Sequence, residues 1–553
     1  MGVDQLDRQR LLKYVLFTIP FGILLVFLIY PVSLVLFQGM MFGPGSTFSE
    51  VLESVVTQRA IAFTVSQALV STLLSLVLGI PGAFLIARLK FKGKSVLKAL
   101  MIVPFVLPPI VVVVGFLQVF GSGGIIDTTL MFLLNQSESV FNIATGFQGI
   151  VLAHAFYNIP LFLLMVSASL ERLNPEVEDV AEILGASPLF KLRKIIFPHI
   201  RPAILSASIL TFLFCFMSFP IVLALGEGSF LTLEVQIWNA FRYFDYGEAS
   251  SLALIQILIT ITLAYTYLKS GGKNDGESGS AVTTKTTHFS VLKKSHKAMI
   301  IFYVVALGIL IIGPMFAIIR ASIYDPITSE YTLRGFANLL DSGTGGGLVP
   351  FINSIFYAGL ATLFAVVLGI PLAYAHKSRV KGVPTLTSML TLLPLGISSI
   401  TMAYGLMIAI AVPLGLSINP WTLIIIAQTI IGIPFSARAI EIALAKIDPA
   451  VIEQADSLGA SRIQRFFFVE IPLLAPGIIV GAIFAFAMGI GEMSATMFLA
   501  REINYTLAVI IYRDLAVRKF VEAGASALML VAICVIAFIT IERISKEGYR
   551  SAI

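Results

Sequence analysis

The chain has 553 residues, of which 58% are hydrophobic and only 12% are charged, and its formal net charge is +6. Soluble domains carry about 25% charged residues, so this chain has too few polar side chains to cover a soluble surface. The composition excludes a string of soluble domains and indicates a multi-pass protein embedded in a lipid bilayer. The excess of Lys and Arg therefore bears on membrane orientation and not on nucleic-acid binding. Two cysteines, Cys215 and Cys534, are too few for a disulfide framework or a Cys-based metal site.

A helix needs about 20 apolar residues to cross a bilayer, and twelve segments of the chain meet this requirement. The first segment is too long for a cleavable signal peptide. Arg8, Arg10 and Lys13 precede or begin it, which predicts a cytoplasmic N-terminus, and an even number of spans brings the C-terminus to the same side. The predicted spans are 11–37, 61–87, 99–120, 149–170, 203–225, 250–268, 298–319, 351–375, 385–411, 421–444, 474–499 and 523–541.

The second half of the chain repeats the first. Leu78-Gly79-Ile80-Pro81 recurs as Leu368-Gly369-Ile370-Pro371, and Gly185-Ala186-Ser187 recurs as Gly459-Ala460-Ser461. Each half has six predicted spans, so the two halves have the same orientation and are parallel repeats. We predict a first unit over 1–268 and a second over 298–553. Segment 269–297, rich in Gly, Ser and Thr, is predicted to be a flexible cytoplasmic linker.

Each half carries a polar segment between its fourth and fifth spans, at 174–200 and at 448–472. Asn174 and Asp448 are good helix N-caps, and each is followed by Pro at the first helical position. Gly185 and Gly459 suit a helix C-terminus or a tight turn. Each segment is therefore predicted to form a short amphipathic helix, a turn and a second, basic and aromatic helix. A cytoplasmic helix pair of this kind docks either on a partner or on its own membrane domain.

These two segments resemble the EAA loop of ABC importer permeases, whose spacing is Glu-Ala-Ala-x3-Gly-x9-Ile-x-Leu-Pro. The spacing matches here, although the residues depart from the family pattern at its first, second and Leu positions. The positions that carry the resemblance are Asp179, Val180, Ala181, Gly185, Ala186 and Ser187 in the first copy and Glu453, Gln454, Ala455, Gly459, Ala460 and Ser461 in the second.

The resemblance implies an all-α integral membrane protein of the type I importer (MetI-like) fold, located in the cell (inner) membrane. It implies that the two segments are coupling helices that dock on two copies of a cytoplasmic ABC ATPase. It also implies an external substrate-binding protein, for which the outer loops 121–148, 226–248, 321–350 and 500–522 are the candidates. The sequence lacks a P-loop, because Arg88 stands where Gly93-Lys94-Ser95 would need an upstream Gly. ATP and magnesium are therefore expected on the partner ATPases, and no cofactor, metal or catalytic residue is expected on this chain.

Two resemblances indicate different substrates. Two permease units in one chain are typical of the ferric-iron and thiamine importers, and the stretch from Leu213 to Gly226, which includes Phe219, is similar to the thiamine permease. In contrast, Gly491-Glu492-Met493-Ser494-Ala495 is similar to the Gly-Glu-Phe-Gly-Ala signature of the iron, molybdate and sulfate permeases. Thiamine and ferric iron are the leading expectations, and a molybdate- or sulfate-type oxyanion is the alternative.

Glu492, His154 and Phe219 are candidates for the pathway or its gate. An ionisable residue within an apolar segment is a functional-site hypothesis by default, although a structural hydrogen bond would also explain Glu492 or His154. An ion-coupled secondary transporter is the competing class, since parallel six-span halves also occur there. Proton coupling usually needs several intramembrane carboxylates or His residues, and this chain offers few.

Overall fold

The computed structural model describes residues 18–41, 47–94, 97, 104, 107–271, 286–328, 330–343, 346–378, 380 and 382–551. The first half of the described chain is helical apart from one short strand. Its elements are a π-helical turn Leu25–Ile29 continued by α1 (Tyr30–Met41), α2 (Phe48–Glu53), α3 (Val55–Arg88), β1 (Leu89–Lys90), α4 (Pro109–Phe120), α5 (Ile125–Leu134), α6 (Gly146–Glu171), α7 (Pro175–Ile183), α8 (Pro188–Lys191), a π-helical turn Leu192–Ile196, α9 (Phe197–Phe216), α10 (Pro220–Leu225), α11 (Leu233–Arg242) and α12 (Tyr246–Gly271).

The second half repeats this order of helices. Its elements are β2 (Thr287–His288), a 3₁₀ turn Phe289–Val291, α13 (Lys294–Ala321), β3 (Tyr324–Asp325), β4 (Glu330–Tyr331), α14 (Arg334–Leu340), α15 (Leu348–His376), α16 (Val383–Leu392), a 3₁₀ turn Leu393–Gly396, α17 (Ser399–Leu406) with a π-helical turn Met407–Ala411, α18 (Trp421–Ala445), α19 (Pro449–Ser457), α20 (Arg462–Arg465), a π-helical turn Phe466–Glu470, α21 (Ile471–Ile490), α22 (Ser494–Leu499), a 3₁₀ turn Glu502–Asn504, α23 (Leu507–Ala516) and α24 (Phe520–Ser551).

The predicted number of membrane spans is confirmed. Among the described residues, eleven helices are long and apolar enough to cross a bilayer. A twelfth candidate, Val383–Gly396 with Ser399–Ala411, is bent by 96° between its two parts. This bent pair lies at the predicted ninth span. The predicted third span, 99–120, is partly outside the described residues. The apolar stretch there, α4 followed by α5, runs over Pro109–Leu134 and so includes the first part of the predicted outer loop 121–148.

The predicted bounds of the fifth span in each half are wrong. The helices run over Pro188–Phe216 and Arg462–Ile490, whereas the sequence predicts 203–225 and 474–499. The polypeptide leaves the helix at 217–219 and 491–493 and then forms the short helices α10 and α22. Pro220 fits the first break, because proline has no N–H with which to continue the hydrogen bonds of the preceding helix. Glu492 accounts for the second, because its side chain accepts from the N–H of Ala495 and so caps the start of α22.

The described chain packs as two compact units, neither of which is one continuous stretch of sequence. One unit contains Met1–Phe48, Ala240–Ile257 and Leu333–Ile553, and the other, which we call unit 2, contains Ser49–Asn239 and Leu258–Thr332. The first helix of each half thus belongs to the unit formed mainly by the other half. The reason is the packing of these two helices, which is non-local and leaves no periodic signal in the sequence.

A glycine permits this exchange in each unit. A Cβ on Gly405 would lie 2.8 Å from the backbone of Pro31, and a Cβ on Gly115 would lie 2.4 Å from the carbonyl oxygen of Pro314. Both distances are too short for a side chain, so only glycine allows α1 to approach α17 and α13 to approach α4. Arg320 on α13 also donates to the side-chain oxygen of Gln118 on α4, at 2.7 Å. The same glycine–proline contact therefore recurs in the two units.

The ends of the predicted linker are structured. Helix α12 continues to Gly271, and Thr287–His288 forms β2, which pairs in parallel with β1. The registered pairs are Leu89 with Thr287 and Lys90 with His288. Residues 272–285, the centre of that segment, lie outside the described residues.

Candidate coupling loops

The segment 174–200 forms the predicted helix, turn and helix. The Asn174 side chain accepts a hydrogen bond from the N–H of Glu176 at 3.0 Å and so caps α7, with Pro175 at the first helical position. Ser187 caps α8 by accepting from the N–H of Phe190 at 3.2 Å. These contacts satisfy N–H groups that a helix start leaves without intrahelical partners. The local fold predicted from the sequence is confirmed.

The segment 448–472 has the same caps at equivalent positions. Asp448 accepts from the N–H of Ala450 at 2.9 Å and caps α19. Ser461 and Gln464 form a capping box at the start of α20, in which each side chain bonds the other residue's backbone N–H, at 3.3 Å and 2.9 Å. Both loops then continue through a π-helical turn into the fifth long helix. Such turns are frequent at functional sites.

The turn in each loop depends on glycine. Gly185 and Gly459 both have φ of +81°, in the left-handed region that side chains disfavour. The following residue closes each turn, since the N–H of Ala186 donates to the oxygen of Ala181 at 2.9 Å and that of Ala460 to Ala455 at 3.1 Å. A Cβ added to either glycine would meet no atom within 4 Å. Each turn is therefore held by its own backbone hydrogen bond, and the space in front of its glycine is open.

An exposed apolar surface surrounds each open turn. Ile183 and Leu184 are 84% and 80% exposed in the first loop, and Leu458 is 88% exposed in the second. Large apolar side chains exposed together mark a surface that binds another protein or a membrane. Leu189, Phe190, Ile463, Phe467 and Phe468 extend these two surfaces. The loops do not bury these side chains against their own chain.

The predicted coupling residues divide between the two sides of each loop. Asp179, Val180, Gly185 and Ser187 are exposed in the first loop, as are Glu453, Gln454, Gly459 and Ser461 in the second. Ala455 is buried, and Ala181, Ala186 and Ala460 are partly buried. The alanines are thus covered by their own chain to a greater extent than the other predicted coupling residues. The exposed residues remain available to a partner.

An ion pair that the sequence reasoning missed joins the two short helices of each loop. Lys191 Nζ lies 3.0 Å from a carboxylate oxygen of Glu182, and Arg465 lies 2.7 Å from Asp456. The basic residue follows the acidic one by nine positions in both copies. This repeated spacing is the sequence feature from which the ion pair could have been predicted. The Arg465 guanidinium also contacts Glu470 at 2.8 Å.

Each loop is anchored to a long membrane helix by a buried carboxylate. Arg88, the last residue of α3, pairs with the buried Glu178 of α7. In the second loop the buried Glu470 accepts from the hydroxyl of Tyr374 on α15 as well as from Arg465. The loops are thus held to their own unit at one side while their apolar surface stays exposed on the other.

The three pathway candidates are all buried. Glu492 accepts three hydrogen bonds in α22, from the N–H of Ala495 at 2.7 Å and from the N–H and hydroxyl of Thr496, each at 2.8 Å. His154 Nδ1 lies 3.3 Å from the Ser71 hydroxyl, and its Nε2 has no partner among the described residues. Phe219 packs on Trp238, with 6.0 Å between ring centroids. These contacts give Glu492 a helix-capping function, and none of them tests a role in the pathway.

Glu492→Ala is expected to destabilise the protein by about 1–3 kcal/mol, since it leaves buried donors of α22 without an acceptor. Glu492→Gln keeps one carbonyl acceptor and is expected to cost less. Thermal unfolding of the detergent-solubilised chain measures both effects. Equal melting temperatures for wild type and Glu492→Ala would exclude the capping function. Normal stability with altered uptake in Glu492→Gln would instead favour the pathway role.

Asp514, in the predicted outer loop 500–522, is expected to make stability depend on pH. Burial raises the pKa of this carboxyl to about 6, although Arg513 and Lys519 act to lower it. The folded protein therefore binds the proton more tightly than the unfolded chain does, and stability falls as the pH rises from about 4 through 6. We expect a higher melting temperature at pH 5 than at pH 7.5, with this contribution removed in Asp514→Asn. An identical pH dependence in wild type and variant would contradict the assignment.

Comparison with known proteins agrees with this geometry. The family model described as "Binding-protein-dependent transport system inner membrane component" matches twice, over residues 79–268 and 354–546. The chain is 27% identical to the probable ABC transporter permease protein y4fN of Sinorhizobium fredii, over 92% of this chain and 91% of that protein. It is 26% identical to the putative ferric transport system permease protein FbpB 1 of Haemophilus influenzae, over 88% of this chain and 78% of that protein. It is 24% identical to the thiamine transport system permease protein ThiP of Escherichia coli, over 96% and 97%.

The two matches together cover more than half of the chain, and each includes one loop with the exposed turn. This family match excludes the competing interpretation, that the chain is an ion-coupled secondary transporter. The chain belongs to the family of binding-protein-dependent transport system inner membrane components and is an ABC importer permease with two permease units fused in one polypeptide.

Proposed function

We propose that this permease moves thiamine inward, driven by two copies of a cytoplasmic ABC ATPase that dock on the loops 174–200 and 448–472. The observation that carries the docking is the pair of equivalent open glycine turns, each surrounded by exposed apolar side chains. Two equivalent surfaces on one chain favour two identical partners. The ATPases supply the sites for ATP and magnesium.

The loops are built to transmit a displacement. Each is stiffened by an ion pair between its short helices and is attached to a membrane helix through Glu178 or Glu470. An ATPase that moves the exposed turn therefore moves the long helices with it, since the attachments leave the loop little freedom to bend. In the proposed cycle, closure of the ATPases opens the permease outward, and ATP hydrolysis returns it to the inward-open state.

The outer loops are proposed to receive the substrate-binding protein. Loop 121–148 is preorganised by Asp127, whose buried carboxylate accepts from the N–H groups of Gly123, Val140 and Phe141, each at 2.8 Å. A loop held in this way loses little conformational entropy on docking. The proposal places this loop outside the cell membrane and both chain termini in the cytoplasm.

We rank thiamine ahead of ferric iron as the proposed substrate because the thiamine permease is matched over a larger share of its own length. The thiamine permease of Escherichia coli matches over 97% of its own length, whereas the ferric permease of Haemophilus influenzae matches over 78%. Ferric iron is the second candidate, since that permease is 26% identical to this chain against 24% for the thiamine permease. An oxyanion remains the third possibility through the motif at Glu492.

The test is uptake by proteoliposomes that contain the chain with its co-purified ATPase and binding protein. Labelled thiamine and labelled ferric iron are offered separately, with ATP inside the vesicles. ATP-dependent accumulation of thiamine, unaffected by a proton ionophore, supports the proposal. Accumulation of iron alone would transfer the substrate assignment to the second candidate. Uptake that an ionophore abolishes and ATP depletion does not would contradict the ATP-driven mechanism.

A further inference from the structure

An apolar cavity lies where α3, α6 and α13 meet in unit 2. It is small and partly open, and it is lined by residues that include Leu85, Leu163, Val304 and Leu307. The one polar side chain in the lining, Tyr303, donates its hydroxyl to the carbonyl oxygen of Leu78. A Cβ on Gly308 would meet nothing within 4 Å, so this glycine keeps the cavity open. Its surface offers contact to hydrocarbon and nothing to a polar ligand.

Exposed lysines gather at the adjacent ends of the same helices. Helix α3 ends at Arg88 and continues into β1, whose Lys90 is paired in register with His288 of β2. This strand pairing fixes the start of α13 beside the end of α3. We call Lys90, Lys92, Lys293 and Lys294 the basic cluster. All four side chains are exposed, and in the part of the chain that the structure describes none is paired with a carboxylate.

The start of α13 adds to the attraction for an anion. Lys293 is the N-cap and makes no side-chain capping bond, and the first turn contains no acidic residue. The first N–H groups of the helix therefore lack side-chain acceptors, and two lysines stand at the positive end of the helix dipole. Cations at this end repel the dipole, so a bound anion would offset two unfavourable features at once.

The distance between the cavity and the basic cluster matches the distance between the phosphate and the acyl chain of one lipid molecule. With a rise of about 1.5 Å per residue, Leu85 lies about 5 Å along α3 from Arg88, and Val304 lies about 15 Å along α13 from Lys294. One leaflet of a bilayer has a hydrocarbon depth of about 15 Å. A phosphate at the basic cluster therefore brings an acyl chain to the depth of the cavity.

We propose that unit 2 binds one anionic glycerophospholipid, of the phosphatidylglycerol type, with its phosphate at the basic cluster and part of an acyl chain in the cavity between α3, α6 and α13. Basic pockets between membrane helices on the cytoplasmic side bind anionic headgroups, and each Lys near such a surface contributes about 1 kcal/mol. A zwitterionic lipid gains less, because its own positive group faces the lysines. The bound lipid links α13, which comes from the second half of the chain, to the end of α3.

The test counts lipids retained by the purified full chain in native mass spectrometry, after addition of phosphatidylglycerol or phosphatidylcholine. The wild type is expected to retain one phosphatidylglycerol at least about tenfold more strongly than phosphatidylcholine, because each lysine of the basic cluster contributes about 1 kcal/mol. The triple variant Lys90→Gln/Lys293→Gln/Lys294→Gln should lose this preference. The control Arg193→Gln/Lys194→Gln/Lys446→Gln removes the same charge from exposed sites elsewhere and should retain it.

Gly308→Leu tests the acyl-chain part separately. It fills the open cavity, leaves every lysine in place, and should reduce phosphatidylglycerol retention as the triple variant does. Equal retention of both lipids by the wild type, or full retention by the triple variant, would overturn the proposal. Displacement of the lipid by inorganic phosphate alone, or unchanged retention in Gly308→Leu, would show an anion site without a lipid chain and would overturn it too.

Discussion

The substitutions Gly185→Arg and Gly459→Arg are each expected to abolish substrate uptake while the protein still accumulates in the membrane. Both glycines have φ of +81°, where an ordinary side chain costs about 1–2 kcal/mol. No atom lies within 4 Å of the position that a Cβ would take, so the arginine side chain starts in open space. It projects from the open turn into the surface proposed for the ATPase. Uptake and ATPase stimulation in proteoliposomes measure the effect, and membrane abundance measures folding.

Two milder changes separate backbone strain from loss of the docking surface. Ala at 185 or 459 introduces the strain with almost no bulk, whereas Asn tolerates the left-handed conformation and adds bulk without charge. We expect both variants to retain most of the uptake. Loss of uptake in Ala equal to that in Arg would assign the effect to the turn conformation alone. Coupled uptake at the wild-type level in both Arg variants would contradict docking at these turns.

The sequence predicts those features that depend on neighbouring residues. The N-caps Asn174 and Asp448, the prolines after them and the two left-handed glycines all follow from local chemistry, and the structure confirms each. The number of spans follows equally from apolar length. These predictions succeed because the bilayer and the helix ends impose their requirements within a few residues.

Features that depend on distant residues were not predicted. Gly115 and Gly405 are ordinary residues in apolar runs until Pro314 and Pro31 are found against them. No local feature of the sequence therefore predicts that the first helix of each half packs in the unit formed mainly by the other half. The breaks before α10 and α22 were missed because apolar composition continues through them. The function of Glu492 as a cap depends on backbone N–H groups, which every residue except proline carries and which no sequence pattern distinguishes.

The two coupling loops have the same shape and differ in what holds them. Lys191 and Arg465 occupy equivalent positions, and each pairs with the equivalent carboxylate, Glu182 or Asp456. Only Arg465 also neutralises a buried carboxylate, that of Glu470. In the first loop the buried carboxylate is paired instead by Arg88 of α3. A single arginine thus stabilises the second loop, whereas two separate basic residues stabilise the first.

Arg465→Met is therefore expected to destabilise the protein strongly, and Lys191→Met only weakly. Removing one partner of a buried pair costs about 3–5 kcal/mol of stability. The hydroxyl of Tyr374 still donates to Glu470 in this variant, so we expect a loss near the lower end of that range. An exposed pair such as Lys191 with Glu182 contributes about 0.2–1 kcal/mol. Thermal unfolding and protease cleavage within 448–472 measure the two variants side by side. Adding Glu470→Gln to Arg465→Met should recover part of the stability, because it removes the unpaired buried charge. Equal losses in the two single variants, or no recovery in the double variant, would show that Glu470 does not anchor the second loop, and its docking surface would then need another support.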